Sequence, residues 1–135
     1  MAMVLSGMSD MAQMTDNLSA MRDFRPLDAR EFDAVKKVCD IFKSLNLVPC
    51  TACRYCIEEN HCPKDILIPD QFAVLNAHEA FHDWNAAFYY EEVLTVGHGK
   101  ASDCIKCGKC EKVCPQHLPI RTLLGSVAEA FEKQE

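Results

Sequence analysis

Eight of the nine cysteines lie in two short runs, and no other feature narrows what this chain can fold into so far. The first run, "CTACRYCIEENHCP", reads Cys50-x2-Cys53-x2-Cys56-x5-Cys62-Pro63. The second, "CIKCGKCEKVCP", reads Cys104-x2-Cys107-x2-Cys110-x3-Cys114-Pro115. Three thiolates with two residues between neighbours can wrap one loop around a single polynuclear metal centre, with the loop's backbone N–H groups turned inward. A fourth thiol, held rigid by the proline after it, points away from that loop. An odd cysteine count leaves one over from any disulfide framework. In a reducing compartment, clustered thiols bind metal rather than pair with each other.

The second run matches the bacterial ferredoxin spacing C-x2-C-x2-C-x3-C-P residue for residue. In two-cluster proteins of that pattern the fourth cysteine ligates the other cluster. The expected cofactors are therefore two 4Fe–4S clusters, one on Cys50, Cys53, Cys56 and Cys114 and the other on Cys104, Cys107, Cys110 and Cys62. The first run departs from the pattern, with five residues, "IEENH", before Cys62 where three are usual. They can bulge without distorting the first loop if Cys62 serves the other cluster, and His61 stands next to it as a substitute ligand. Structural zinc is the alternative, since two C-x2-C pairs build a tetrahedral site. Zinc gives no reason for a third cysteine in each run. Cys39 lies outside both runs, on the apolar stripe of a predicted helix, and is expected to be a buried, inert thiol.

The net charge of −6 argues against a nucleic-acid partner. No apolar stretch approaches the ~20 residues of a membrane helix. "MAMVLSGMSDMAQM" lacks a basic n-region and a long h-region, so no signal peptide and a cytoplasmic location are expected. Loading eight thiolates with two oxidised cores takes the net charge to about −10, and a low reduction potential is the expectation. Arg54, Lys106 and Lys109 lie inside the loops. They either moderate that charge locally or are simply solvated.

The class read from the pattern is all-α with long metal-binding loops. Asp10 and Gln13 suit the start of one helix and Asp28 and Glu31 the start of a second. The second carries apolar residues at Phe32, Val35, Val38, Phe42 and Leu45, near a 3.6 period. Helix is predicted from Pro69 to about Leu94 with one break near residues 83–85, ended by Gly97 and Gly99. A last helix follows Pro119, with a stripe of Ile120, Leu123, Leu124, Val127 and Phe131. "CPKDILIPDQF" from Cys62 repeats as "CPQHLPIRTLL" from Cys114, which suggests a pseudo-twofold pair of sites.

Residues 78–82, "HEAFH", match H-E-x-x-H, the zinc-protease pattern that sets two imidazoles on one helix face. The extended signature wants Gly at 85 and His at 88, where this chain has Asn85 and Phe88. The pentapeptide is read instead as part of the helical spacer between the cysteine runs. Ala80 and Phe81 are then expected to face inward, and at least one histidine to lie at the surface.

"VPCTACRYC", "CP…ILIPDQF" and "ASDCIKCGKCEKVCPQHLPI" resemble the C-terminal ferredoxin-type domain of a group of aldo/keto reductase-like oxidoreductases. The helical stretch 63–103 is also similar to the α-helical ferredoxins found in iron–sulfur subunits of succinate dehydrogenase and fumarate reductase. "VLSGMSDMAQMTDN" resembles the eighth strand and following helix of an aldo/keto reductase barrel, with Gln13 and Asn17 at positions facing the adenosine end of the nicotinamide cofactor. The resemblance implies a barrel remnant at 1–27, a connecting helix at 28–46 and a ferredoxin-like domain at 47–135. It implies a domain cut from a larger enzyme, because a (β/α)8 barrel needs about 250 residues. NAD(P) and the catalytic residues would belong to the missing barrel, so no catalytic residue is assigned here. The implied partners are that barrel and a redox protein or cofactor.

Overall fold

A computed structural model of the chain describes residues 6–22, 24–59 and 61–132. Among these residues the structure is helical and has no strand, as the sequence pattern predicts. The chain divides into two compact units, Met1–Cys39 and Asp40–Glu135.

In the first unit α1 spans Met11–Arg22, and Asp10 caps it by accepting a hydrogen bond from the Gln13 N–H at 2.9 Å. Gln13 reaches back one residue further than a standard capping box, accepting from the Ser9 N–H at 2.8 Å. α2, Ala29–Ser44, begins in the first unit and runs past its end at Cys39; it opens on a complete box: Asp28 accepts from the Arg30 and Glu31 N–H groups, and Glu31 accepts from the Asp28 N–H. The expected apolar stripe of α2 is present, but Phe32, Val35, Val38 and Phe42 are exposed. Cys39 is exposed with them, which corrects its reading as a buried thiol. Periodicity places an apolar face on a helix without saying what that face meets. Most of the "MVLSG" stretch lies outside the described residues.

The second unit holds the core. α4, Ile68–Phe81, packs on α7, Ile120–Phe131. The internal repeat is visible here as matched burial. Ile66 and Leu118, Ile68 and Ile120, Phe72 and Leu124, Leu75 and Val127 are each separated by the spacing that separates Cys62 from Cys114, and all eight are buried. Full burial of each such side chain stabilises the fold by ~1.5–3 kcal/mol. The same turn precedes both helices. Leu67 (φ −76°, ψ 67°) and Pro119 (φ −77°, ψ 68°) adopt one inverse γ conformation, with Ile68 N–H donating to Ile66 O and Ile120 N–H to Leu118 O, both at 2.9 Å.

α4 stops at His82, which turns left-handed (φ 51°, ψ 42°) and donates its backbone N–H to His78 O. The chain resumes as α5, Ala86–Tyr89, and runs into a single π-turn, Tyr90–Leu94. The predicted break therefore falls at 82–85. Phe81 is 77% exposed, against the expectation that it faces inward. It is the last residue of α4, beyond the part of that helix with buried side chains. His82 is exposed, as expected for at least one of the two histidines, while His78 packs edge-on against Phe131 at 5.5 Å between ring centroids. With His82 outside the regular helix, "HEAFH" does not set two imidazoles on one helical face.

Candidate metal centre

Cysteines border two cavities of the second unit. One is lined by Cys50, Cys53, Cys56 and Cys114, closed on its inner side by Ile68, Phe72, Leu118 and Ile120. The other is lined by Cys62, Cys104, Cys107 and Cys110, with Cys56, Ile68 and Leu124 behind them. Their unfilled volumes, counting the part open to solvent, are about 330 and 370 Å³, so the two sites are close in size. Three cysteines of one run and the fourth of the other thus meet at each cavity. Cys56 and Ile68 line both and form the wall between them. His61, the substitute considered for Cys62, lines neither.

The loops that carry the cysteines repeat residue by residue. Ala52 (φ 52°) and Lys106 (φ 56°) each precede the second cysteine of a run. Arg54 (φ 66°) and Gly108 (φ 73°) each follow it. Left-handed residues at these places curl the backbone into a concave nest of N–H groups, an arrangement that suits anions and iron–sulfur sites. Arg54 and Gly108 then open matching one-turn helices, α3 (Tyr55–Glu58) and α6 (Lys109–Lys112), which pack against each other. Asp65 (φ 51°) and His117 (φ 51°) stand three residues after Cys62 and Cys114. Their N–H groups donate to the carbonyls of those cysteines at 2.9 and 3.0 Å.

Each run reaches its cavity on a tether that the sequence did not advertise. Asn76 of α4 grips the first in both directions, accepting from Val48 N–H at 2.7 Å and donating to Val48 O at 2.9 Å. The second is held through the 3-10 turn Ala101–Asp103 just before Cys104. Tyr90 Oη accepts from the Ala101 N–H at 2.9 Å and donates to Glu132, which also accepts from the Ser102 N–H. Burial raises the Tyr90 phenol above its ordinary value, against the Ala101 hydrogen bond. Burial also pushes the Glu132 carboxyl upward, but hydrogen bonds from Ser102 and Tyr90 outweigh it and hold that group below its ordinary value.

Charged clamps join each loop to a long helix, with the signs exchanged. In the first, Arg54 of the loop binds Asp70 of α4 at 3.2 Å and Glu58 at 2.9 Å. In the second, Glu111 of α6 binds Arg121 of α7, accepting from its Nε and from its backbone N–H, both at 2.9 Å. The Arg121 guanidinium lies over Gly108, the counterpart of Arg54. These hydrogen bonds hold Glu111 below its ordinary pKa.

Burial, with the nearby Cys50 and Cys110 thiols adding to it, pushes the Cys56 thiol up to about 12, and burial pushes Cys110 up to about 11. Such thiols ionise only against a strong positive charge, so ligation there releases protons. A single ion fits this donor set poorly. Among the described residues no three His, Cys, Asp or Glu side chains converge on one ion position, whereas zinc draws its thiolates in to ~2.3 Å. A polynuclear cluster takes each thiolate on a different iron and tolerates their spread. The thiol-rich lining therefore suits iron–sulfur chemistry.

A family model described as a 4Fe-4S dicluster domain matches residues 49–118, from just before Cys50 to just beyond Cys114. No curated protein and no solved structure matches the chain.

Proposed function

From the chain's membership of the 4Fe-4S dicluster domain family, we propose that it is an electron-transfer module holding two 4Fe–4S clusters, the first on Cys50, Cys53, Cys56 and Cys114 and the second on Cys104, Cys107, Cys110 and Cys62. The observation that carries this assignment is the crossing of the runs: each cavity is bordered by three cysteines of one and the fourth of the other. The clusters, when bound, store and pass single electrons. The protein supplies the rest. Its cysteines neutralise and anchor the cores, and the nests at 52–54 and 106–108 aim N–H groups at them. Ile68, Phe72, Leu118, Ile120 and Leu124 keep water from the inner faces. Exposed Cys53 and Cys107 mark the faces turned to solvent, where an electron can arrive or leave. Anaerobic reconstitution tests the reading. About eight irons and eight sulfides per chain, with a paramagnetic signal on reduction, are expected. A colourless, zinc-loaded protein overturns it.

The proposal extends to a parent enzyme. The likeness of residues 4–17 to the last strand and helix of an aldo/keto reductase barrel supports a place for this module behind such a barrel, with NAD(P) bound in the barrel. Exposed Met11, Met14, Leu18 and Met21 on α1 are consistent with a helix that packs on that barrel. The coding sequence upstream of Met1 tests it: seven further β/α units are expected, and an unrelated sequence there ends the idea.

A further inference from the structure

The two cavities share a backbone plan but not an electrostatic one. The second is bordered by Lys64 and Arg121, and Lys106 stands in its loop between Cys104 and Cys107. All three are exposed cations. Carboxylates offset part of this charge: Glu111 is bound to Arg121, and Asp65 is turned to His98 Nδ1 at 2.6 Å. At the first cavity the lining cation is Arg54, and two carboxylates, Glu58 and Asp70, hold it. The second rim is thus net positive and the first net negative. Cys56 and Ile68 belong to both walls, and the two volumes are nearly equal, so size does not separate the sites.

We infer that Lys64, Lys106 and Arg121 make the second site the electron-holding end of the module, so that the first electron delivered settles beside Cys62, Cys104, Cys107 and Cys110 rather than beside Cys50, Cys53, Cys56 and Cys114. This rests on the two-cluster reading above. Reduction adds one negative charge to a site and no proton, so nearby fixed charge acts on it directly. A positive rim lowers the free energy of the added electron, and the Arg54–Glu58–Asp70 group does not. The rim is exposed, so the preference falls as salt rises and the Debye length shortens. One electron comes from an external one-electron reductant, dithionite in the test, which is oxidised in turn.

The test is a redox titration of the cluster-loaded chain with dithionite at low ionic strength, followed by electron paramagnetic resonance. Two steps are expected. Substituting Lys64→Gln and Lys106→Gln together lowers the upper potential and leaves the lower one in place, so the gap narrows. Glu58→Gln raises the lower potential, and added salt also narrows the gap. The inference is overturned if the double variant moves the lower step or moves neither. Iron and sulfide analysis of the same samples separates the two ideas. About eight irons per chain with the wrong step moving sinks this inference alone, and about four irons in the unaltered chain sinks the two-cluster reading with it.

Discussion

Gly99→Ala tests how the second cavity is built. A Cβ placed at Gly99 lies 2.1 Å from the Lys64 carbonyl oxygen and 2.9 Å from Ile66 Cγ1. The first is backbone, and the second belongs to a side chain only 1% exposed, so neither can swing aside. Restoring ordinary contact of ~3.5 Å requires the two segments to part by more than ~1 Å. That parting breaks the hydrogen bond from Gly99 N–H to Asp65 O, at 3.2 Å, and the one from Gln71 Nε2 to Gly99 O, at 3.0 Å. Gln71 is fully buried with its Oε1 already unpaired, so its whole amide would be left without a partner. Overpacking costs ~1–3 kcal/mol and an orphaned buried donor ~1–3 kcal/mol, together ~2–6 kcal/mol. Domains are stable by only ~5–15 kcal/mol. An anaerobic urea titration followed by circular dichroism should show the midpoint falling by ~1 M or more. The loss should also lower iron content, because Lys64 follows Cys62 closely and Gly99 shortly precedes Cys104. Gly125→Ala is the control. No atom lies within 4 Å of its added Cβ, and its exposed place in α7 should give a gain of ~0.5–1 kcal/mol. A Gly99→Ala midpoint indistinguishable from wild type would show that these segments do not approach as described.

Tyr90→Phe removes the acceptor of the buried Ala101 N–H and should cost ~1–3 kcal/mol, read as faster hydrogen exchange at Ala101; unchanged exchange there refutes the tether. The same amides carry a pH dependence. Glu132 is held below its ordinary value, so its contribution is full above that value and is lost as pH falls through the folded one. Tyr90 is raised, so its contribution is full below the ordinary phenol value and is lost as pH rises through the folded one. Protection of Ala101 and Ser102, corrected for intrinsic exchange, should therefore decline at both extremes, and Glu132→Gln should remove the acid limb. Cys62→Ser should drop iron from about eight to about four per chain, while His61→Ala leaves it unchanged; the reverse result would exchange their roles.

The grouping of the cysteines at two cavities follows the spacing of the runs because such spacing is a local constraint. Loop length and residue type alone decide which thiolates can reach one centre. The repeat was legible for the same reason, down to the paired Ile68 and Ile120. What escaped were relations between segments distant in the chain. Asn76 looked like any polar helix residue, and Gly99 like a helix terminator. Nothing in the order of residues announces that Glu132 reaches the turn before Cys104. The exposure of Cys39 and Phe81 was missed for a related reason. A period or a motif says which residues share a face, while burial depends on what packs there, and at the end of α4 His82 turns the chain away.

The charge swap between the clamps separates two demands on a duplicated site. Holding a cluster is a backbone matter. The left-handed positions, inverse γ-turns and buried aliphatic pairs recur because each half must present the same cradle. Side chains facing water are free of that demand, and there the halves diverge, with Arg54 held by two carboxylates on one side and Arg121 by one carboxylate among lysines on the other. Two identical sites would share an electron evenly. On the proposed two-cluster reading, divergence at the rims would give the pair a direction while leaving the shared backbone plan intact.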